Sequence, residues 1–284
     1  MPRKPEWLKV RLSGGREFSH VRNVLADLNL HTICREARCP NIGECFGEGT
    51  ATFLILGDVC TRNCRYCNIA HGAPQPPDPG EPERLAEAVR ELGLKYAVMT
   101  SVTRDDLPDG GASHFAACVT ELRRRCPECV VEVLVPDFQG SPKALEQILA
   151  AAPRVINHNL EVAPSLFAAL RPQGNYRISL ELLRRVHAKA EGSIISKSGF
   201  MVGFGEQRPD ILRLMEDLAA VQCNRLTIGQ YQQPTRSHWP VAKYYHPDEF
   251  QEFREAAYAM GFRHVESGPL VRSSYRAARA GSTA

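Results

Sequence analysis

The chain has 284 residues and nearly balanced charge, with 35 Lys and Arg against 32 Asp and Glu. This balance predicts no nucleic-acid partner and no membrane partner, and no apolar run approaches the roughly 18–20 residues of a membrane helix. The first residues lack the apolar stretch of a secretory signal. Ten cysteines without such a signal are typical of thiols or metal ligands in a cytoplasmic protein, which is the location we predict.

Strand-like and helix-like segments alternate from residue 50 onward. Apolar runs predict strands at 52–56, 96–100, 130–135, 155–157, 194–202 and 225–230. Apolar residues at helical spacing predict helices around 82–92, 112–124, 142–149, 180–190, 211–218 and 247–257. Six β/α units in a row predict an α/β fold, a partial (β/α)6 barrel of the TIM type. An open doubly wound sheet fits less well, because no Gly-x-Gly-x-x-Gly turn follows the first strand.

Six cysteines form two tight triplets, one with the spacing Cys-x4-Cys-x5-Cys and the other with Cys-x3-Cys-x2-Cys. The triplets are Cys34, Cys39 and Cys45, and Cys60, Cys64 and Cys67. A structural zinc or a complete iron–sulfur cubane takes four protein ligands. Three cysteines leave one iron free to bind something else, so the two triplets predict two iron–sulfur clusters.

The second triplet follows the first predicted strand. Active residues of such barrels lie on loops at the C-terminal ends of the strands, so the fold prediction and the ligand prediction agree. Thiolates also bind zinc and copper. Ligand type alone therefore leaves open a zinc knuckle in which His71 completes the second triplet.

The second triplet resembles the signature of the radical SAM superfamily, in which an aromatic residue precedes the last cysteine, as Tyr66 does here. The resemblance implies a cluster whose open iron binds S-adenosylmethionine. It also implies that an electron from the reduced cluster releases a 5′-deoxyadenosyl radical, while the protein positions the reactants and excludes water and oxygen.

The resemblance narrows to the lipoyl synthase family within that superfamily. It spans about residues 30–277, and Phe46, where tryptophan is common, is a minor departure. Matching segments include the first triplet and several blocks after predicted strands. These segments are 37–45, 51–58, 100–111, 157–161, 197–203, 230–236 and 272–275.

The family resemblance implies site residues beyond the cysteines. The first triplet is similar to the motif of an auxiliary cluster, and a serine of the segment 272–275 supplies its fourth ligand. We choose Ser274 by its position in the family motif, since spacing alone does not separate it from Ser273. Contacts with S-adenosylmethionine are implied for a further set of residues: Thr100, Ser101, Asn157, Glu161, Lys197, Gly199 and Gly203.

The same resemblance implies three regions. Residues 1–50 form an N-terminal extension with the auxiliary motif, 51–261 the radical SAM partial barrel, and 262–284 a C-terminal tail with the serine motif. The implied enzyme inserts two sulfur atoms at C6 and C8 of an octanoyl group on a lysine of lipoyl carrier domains. It uses S-adenosylmethionine and sulfide from the auxiliary [4Fe–4S] cluster. An unactivated carbon–hydrogen bond offers no handle for polar catalysis, which agrees with a radical route.

The implied partners are octanoylated carrier domains, namely 2-oxoacid dehydrogenase E2 subunits and the glycine cleavage H protein. An electron donor such as flavodoxin or ferredoxin and iron–sulfur carrier proteins are also implied. Two rival functions fit the sequence less well. A methylthiotransferase would usually carry an added RNA-binding domain, and a zinc-binding recognition module would need a basic face. The charge balance argues against the latter.

Overall fold

The structure is a computed structural model that describes residues 3–10, 14–48, 50–189, 193–275 and 277. The chain divides into two compact units. The N-terminal unit comprises Val10–Arg62, Asn68–Ile156 and Ser274–Ala284. The C-terminal unit comprises Met1–Lys9, Asn63–Cys67 and Asn157–Ser273. This division differs from the three consecutive regions predicted from the sequence, whose boundaries stay a prediction.

The N-terminal unit contains seven strands within the described residues. They are β1 (His31–Thr32), β2 (Thr52–Ile55), β3 (Val59–Cys60), β4 (Ala70–His71), β5 (Tyr96–Ser101), β6 (Val130–Leu134) and β7 (Val155–Asn157, whose last residue is assigned to the other unit). The sheet order is β1-β2-β5-β6-β7, and β3 pairs with β4 separately. β2, β5 and β6 are parallel neighbours, whereas β1 is antiparallel to β2.

Helices and one 3-10 turn accompany these strands. They are α1 (Arg16–Asp27), α2 (Ile33–Glu36), α3 (Ile42–Gly47), α4 (Glu81–Glu91), α5 (Ala112–Arg125), the 3-10 turn Phe138–Gly140 and α6 (Pro142–Ala151). α6 begins as its sequence predicts, because Ser141 accepts a hydrogen bond from the Ala144 amide and Pro142 occupies the first turn. α5 buries Phe115, Cys118 and Leu122 completely, so it covers the sheet with an apolar face.

The C-terminal unit contains the remaining described elements. They are the 3-10 turn Glu6–Leu8, α7 (Pro164–Leu170), α8 (Tyr176–Lys189), β8 (Ile195–Val202), α9 (Arg208–Ala220), β9 (Arg225–Gln230), α10 (Pro247–Ala259) and β10 (His264–Gly268). The three strands are parallel in the order β8-β9-β10. At Gly229 in β9, a Cβ atom would lie 2.2 Å from the carbonyl oxygen of Val271. The chain after β10 therefore passes directly over this position.

Three features go beyond the sequence prediction. α7 and the helices before residue 50 were not predicted, and β10 adds a parallel strand after the sixth helix. α8 begins four residues earlier than predicted, because the Asn175 side chain accepts hydrogen bonds from the amides of Arg177 (3.0 Å) and Ile178 (3.1 Å). In the described part of the chain, no helix combines the length and apolar character needed to cross a membrane.

Candidate active site and auxiliary cluster site

The second cysteine triplet begins on β3 in the N-terminal unit. The Cys60 sulfur accepts hydrogen bonds from the backbone amides of Arg62 (3.4 Å) and Thr103 (3.2 Å). The Thr61 amide in turn donates to the Thr103 carbonyl at 3.0 Å. Thr103 lies just after β5, so the C-terminal end of one strand holds the loop that follows another, as expected for this fold class.

The side chain of Arg62 lies in a buried network that the sequence analysis did not identify. Its guanidinium forms two hydrogen bonds with Asp137 (2.7 and 2.7 Å) and two with Asp105 (2.6 and 2.9 Å). The side chains of Arg62 and Asp137 are only 5% and 2% exposed. Bidentate pairs fix both position and orientation, so this network anchors the loop two residues after Cys60.

The turn that leads into the loop is also held by side chains. Leu56 has a φ of 66°, in the left-handed region that is costly for a non-glycine residue. Its amide donates to a Glu81 carboxylate oxygen at 2.9 Å, and His114 Nε2 lies 2.6 Å from the same oxygen. The Arg104 guanidinium donates to the Leu56 carbonyl at 3.4 Å. The entry to the Cys60 loop is therefore fixed at both backbone polar groups of Leu56.

Cys64 and Cys67 lie on the loop segment that belongs to the C-terminal unit. The Cys67 amide donates to the Cys64 carbonyl at 3.0 Å, and His238 Nε2 lies 3.0 Å from the Cys67 carbonyl oxygen. Between them, Arg65 bonds through its amide to Leu170 (2.9 Å) and through its carbonyl to the Trp239 amide (3.0 Å). Backbone bonds thus shape this half of the loop.

Tyr66, the aromatic residue of the triplet, packs in an aromatic group. Its ring centroid lies 6.0 Å from that of Phe204, which stacks on Tyr231 at 4.1 Å. Trp239 Nε1 donates to the Phe204 carbonyl (3.0 Å), and the Tyr231 hydroxyl donates to the Trp239 carbonyl (2.7 Å). Burial raises the pKa of Tyr66 well above its usual value, so this phenol stays neutral.

The first triplet gathers in the N-terminal unit. α2 presents Cys34, the following turn presents Cys39, and α3 presents Cys45. Burial raises the pKa of the Cys34 thiol to about 11, and the charge of Cys39 adds to the shift. Burial, with the charges of Cys34 and Cys39, raises the pKa of Cys45 to about 12. The three thiols are therefore near enough to influence one another's ionisation.

Ser274 belongs to the same unit and approaches the first triplet through Thr52. Thr52 Oγ1 donates a hydrogen bond of 2.8 Å to Ser274 Oγ, and Thr52 also lies close enough to the Cys34 thiol to offset part of the rise in the pKa of that thiol. Ser273 has different partners: it lies 2.9 Å from Asn157 Nδ2 and donates to Asn159 Oδ1 at 3.0 Å. The two serines that spacing did not separate thus have separate environments.

Thr100 and Ser101 are the last two residues of β5. Thr103, two residues later, donates its backbone amide to the Cys60 sulfur. Thr100 Oγ1 donates to the Leu134 carbonyl at 3.0 Å. Ser101 Oγ is buried and has no hydrogen-bond partner among the residues that the structure describes. A buried hydroxyl without a partner is costly, so Ser101 suits a polar ligand group.

Asn157 and Glu161 lie in the C-terminal unit near Ser273. Asn157 is completely buried, and its amide nitrogen is bonded to the Ser273 hydroxyl. Glu161 has a left-handed φ of 70°, and its carboxylate accepts from Asn159 Nδ2 at 3.0 Å. Burial raises the pKa of Glu161, and the charge of Arg171 opposes this shift. Such backbone outliers concentrate at functional sites.

Three predicted cofactor contacts lie along β8 or just after it. Lys197 is buried near the N-terminal end of β8, opposite Arg225. Ligands of this fold class usually bind at the other ends of the strands, and the cofactor contact of Lys197 stays a prediction. A Cβ atom at Gly199 would lie 2.2 Å from Thr227 Oγ1, and one at Gly203 would lie 2.2 Å from Gln230 Nε2. At both positions, the close approach of a neighbouring side chain is enough to explain why the residue is glycine.

The donor chemistry of both triplets fits iron–sulfur clusters. None of the six cysteines forms a disulfide bond, and all except Cys34 are partly accessible. Within the described ranges, no three His, Cys, Asp or Glu side chains are close enough to hold a single metal ion. Soft thiolate donors around a cluster, with a hydroxyl at Ser274 beside one triplet and an unpartnered hydroxyl at Ser101, match the predicted cofactors in kind.

Comparison with known proteins gives the family. Residues 54–218 match the radical SAM superfamily, and residues 1–39 match the N-terminal domain of lipoyl synthase of the radical SAM family. A lipoyl synthase of Chloroflexus aurantiacus is 55% identical over 276 residues, covering 97% of this chain and 90% of the relative. This chain belongs to the lipoyl synthase family. The family predicted from the motifs is thereby confirmed, as are its cofactors, S-adenosylmethionine and [4Fe–4S] clusters.

Solved structures support the fold of this lipoyl synthase family member. SuiB of Streptococcus suis bound to S-adenosylmethionine has a TM-score of 0.60 at 11% identity, over 80% of this chain and 54% of that chain. Coproporphyrinogen III oxidase (HemN) of Escherichia coli, a radical SAM enzyme, has a TM-score of 0.51 at 13% identity, over 73% and 52%. The predicted α/β partial barrel is confirmed.

Proposed function

We propose that this chain is a lipoyl synthase that inserts two sulfur atoms, at C6 and C8, into an octanoyl group carried on a lysine of a lipoyl carrier domain. The observation that carries the proposal is identity of 55% along almost the whole length of a lipoyl synthase, with both cysteine triplets included. When bound, S-adenosylmethionine and two [4Fe–4S] clusters supply the 5′-deoxyadenosyl radical and the sulfur.

The chain's own residues divide the work. We assign Cys60, Cys64 and Cys67 to the catalytic cluster, where three thiolates leave one iron open for S-adenosylmethionine. The amides of Arg62 and Thr103 orient the Cys60 sulfur. Ser101 offers its unpartnered hydroxyl to a polar group of the cofactor.

The second cluster is assigned to a different set of ligands. Cys34, Cys39 and Cys45 would hold the auxiliary cluster with Ser274 as the fourth ligand. The hydrogen bond from Thr52 to Ser274, with Thr52 next to the Cys34 thiol, supports Ser274 over Ser273. An alkoxide is a harder donor than a thiolate, so it suits a cluster that gives up its sulfur.

The substrate is an octanoylated lipoyl carrier. We propose that the carriers are E2 subunits of 2-oxoacid dehydrogenases and the glycine cleavage H protein. Flavodoxin or ferredoxin would supply electrons, and iron–sulfur carrier proteins would rebuild the auxiliary cluster. A cytoplasmic location suits this set of partners and the reduced thiols that the clusters require.

The test begins with metal analysis of protein reconstituted without oxygen. About eight irons and eight sulfides per chain are expected, because two cubanes hold four of each. The loaded protein is then incubated with S-adenosylmethionine, a reductant and an octanoyl-lysine peptide. Formation of the dihydrolipoyl peptide together with 5′-deoxyadenosine supports the proposal. Zinc without sulfide, or cofactor cleavage without sulfur insertion in a protein holding both clusters, would overturn it.

A further inference from the structure

The residue after Ser274 makes a second contact with the auxiliary motif. The Tyr275 hydroxyl lies 2.9 Å and 3.1 Å from the two carboxylate oxygens of Glu44. Glu44 lies in α3, directly before Cys45. Tyr275 follows the proposed ligand Ser274, and Glu44 precedes the proposed ligand Cys45. Their hydrogen bond therefore joins the neighbours of two proposed ligands that are far apart in the sequence, since 231 positions separate Tyr275 from Glu44.

The two contacts of the tail differ in kind. The bond between Thr52 and Ser274 joins two neutral hydroxyls and involves the proposed ligand oxygen itself. The bond between Tyr275 and Glu44 has an ionised acceptor, which makes it the stronger type, and it does not involve any proposed ligand atom. Loss of the bond between Ser274 and iron would therefore leave the Tyr275 contact intact.

A ligand that leaves a metal but stays tethered beside it rebinds as an intramolecular group, at a high effective concentration. We propose that the Tyr275–Glu44 pair is a latch that keeps the tail on the auxiliary site, so that Ser274 can leave the cluster and return to it. The latch rests on the proposed function, because it presupposes an auxiliary cluster with Ser274 as a ligand. Tyr275 and Glu44 are positioning residues that act through Ser274.

The test isolates the auxiliary cluster in a parent protein in which Cys60, Cys64 and Cys67 are all replaced by Ala. Iron release from the reconstituted parent to a chelator is followed without oxygen. Tyr275→Phe removes only the hydroxyl, and we expect it to accelerate the release of the first iron about tenfold, which is the change expected for one charge-assisted hydrogen bond. Glu44→Gln keeps one acceptor oxygen, and we expect a smaller acceleration.

Tyr176→Phe is the matched control. The Tyr176 hydroxyl also donates to a carboxylate, that of Asp217 at 2.9 Å, but it lies in the C-terminal unit and next to no proposed ligand. We expect its iron release to equal that of the parent. A second control places Tyr275→Phe in a protein that keeps only the catalytic triplet, where we expect no change in iron release.

A further experiment replaces the proposed ligand Ser274 and distinguishes the latch from a general effect of Tyr275 on stability. Ser274→Cys supplies a thiolate that binds iron more tightly, so Tyr275→Phe should then accelerate iron release much less. Equal release rates for parent and Tyr275→Phe, or the same acceleration with Cys at position 274, would overturn the latch alone. A parent that binds no iron and sulfide would overturn the proposed function and the latch with it.

Discussion

Around Cys60, the N-terminal unit places a buried guanidinium between two carboxylates, whereas around Cys34 and Ser274 it places the hydroxyl of Thr52. The first arrangement has four hydrogen bonds between full charges at one side chain. The second has single hydrogen bonds that an incoming or departing ligand can replace. In the proposed function, the catalytic cluster persists through each reaction and the auxiliary cluster is consumed. The two environments match those two requirements.

The largest effect separates the two cysteine triplets. Cys60→Ala removes a proposed ligand of the catalytic cluster, so we expect cleavage of S-adenosylmethionine to fall to background while the auxiliary iron stays bound. Cys34→Ala should do the reverse: cofactor cleavage persists and sulfur insertion is lost. Both are measured as 5′-deoxyadenosine and dihydrolipoyl peptide per chain. Cofactor cleavage that survives in the Cys60 variant would refute the assignment of the triplets.

The next effect tests the charged network. Arg62→Met leaves Asp105 and Asp137 without their buried cation, and breaking such a pair costs about 3–5 kcal/mol of stability. Urea unfolding of the cluster-free protein measures this loss. Arg124→Met is the control, since that side chain is 63% exposed and solvent screens its pair with Glu121. Similar losses in the two variants would show that the Arg62 network is not a special anchor.

A smaller effect depends on pH. Hydrogen bonds from the Ser113 and Gly111 amides outweigh burial and hold the pKa of Asp109 below its usual 3.8. A depressed pKa contributes stability above pH 3.8 that is lost as the pH falls through the folded-state value. We expect the urea midpoint to fall below this pH, and Asp109→Asn to fall less steeply because Asn does not titrate. Parallel pH curves for the two proteins would contradict this account of the segment before α5.

The smallest effect concerns the half of the loop in the C-terminal unit. His238→Ala removes the partner of the Cys67 carbonyl, and a single neutral hydrogen bond contributes about 0.5–1.5 kcal/mol. Urea unfolding should show a loss of this size, smaller than that of Arg62→Met. His187→Ala, at an exposed position on α8, provides a histidine control outside the loop in the same unit. A loss as large as that of the Arg62 variant would mean that both halves of the loop are equally anchored.

Sequence reasoning predicted the regular part of the fold well, because apolar runs and helix caps are local signals. Pro142 and Ser141 mark α6 in the sequence and in the structure. The short helices that carry Cys34 and Cys45 were not predicted, since neither is long enough to show helical periodicity. β10 lies beyond the six predicted β/α units, and its pairing with β9 depends on tertiary structure.

In the candidate site, too, some features have local sequence signals and others depend on tertiary structure. Cysteine spacing indicated both triplets, but nothing local links Arg62 to Asp105 and Asp137, 43 and 75 residues away. An arginine inside the triplet and the acidic segment after β5 were the available signals, and only the fold brings them together. For Lys197, whose cofactor contact stays a prediction, the family block gave no information about which end of β8 the residue occupies.

The close approach of Val271 to Gly229 has a consequence for natural variation. Every base change in a glycine codon that alters the amino acid adds at least one carbon atom or ends the chain. At Gly229 that atom would collide with the Val271 carbonyl, 2.2 Å away, and push aside the backbone that leads to Arg272 and Ser273. In a genetic screen, an allele near the end of β9 would therefore resemble an allele of the tail, although 44 positions separate Gly229 from Ser273.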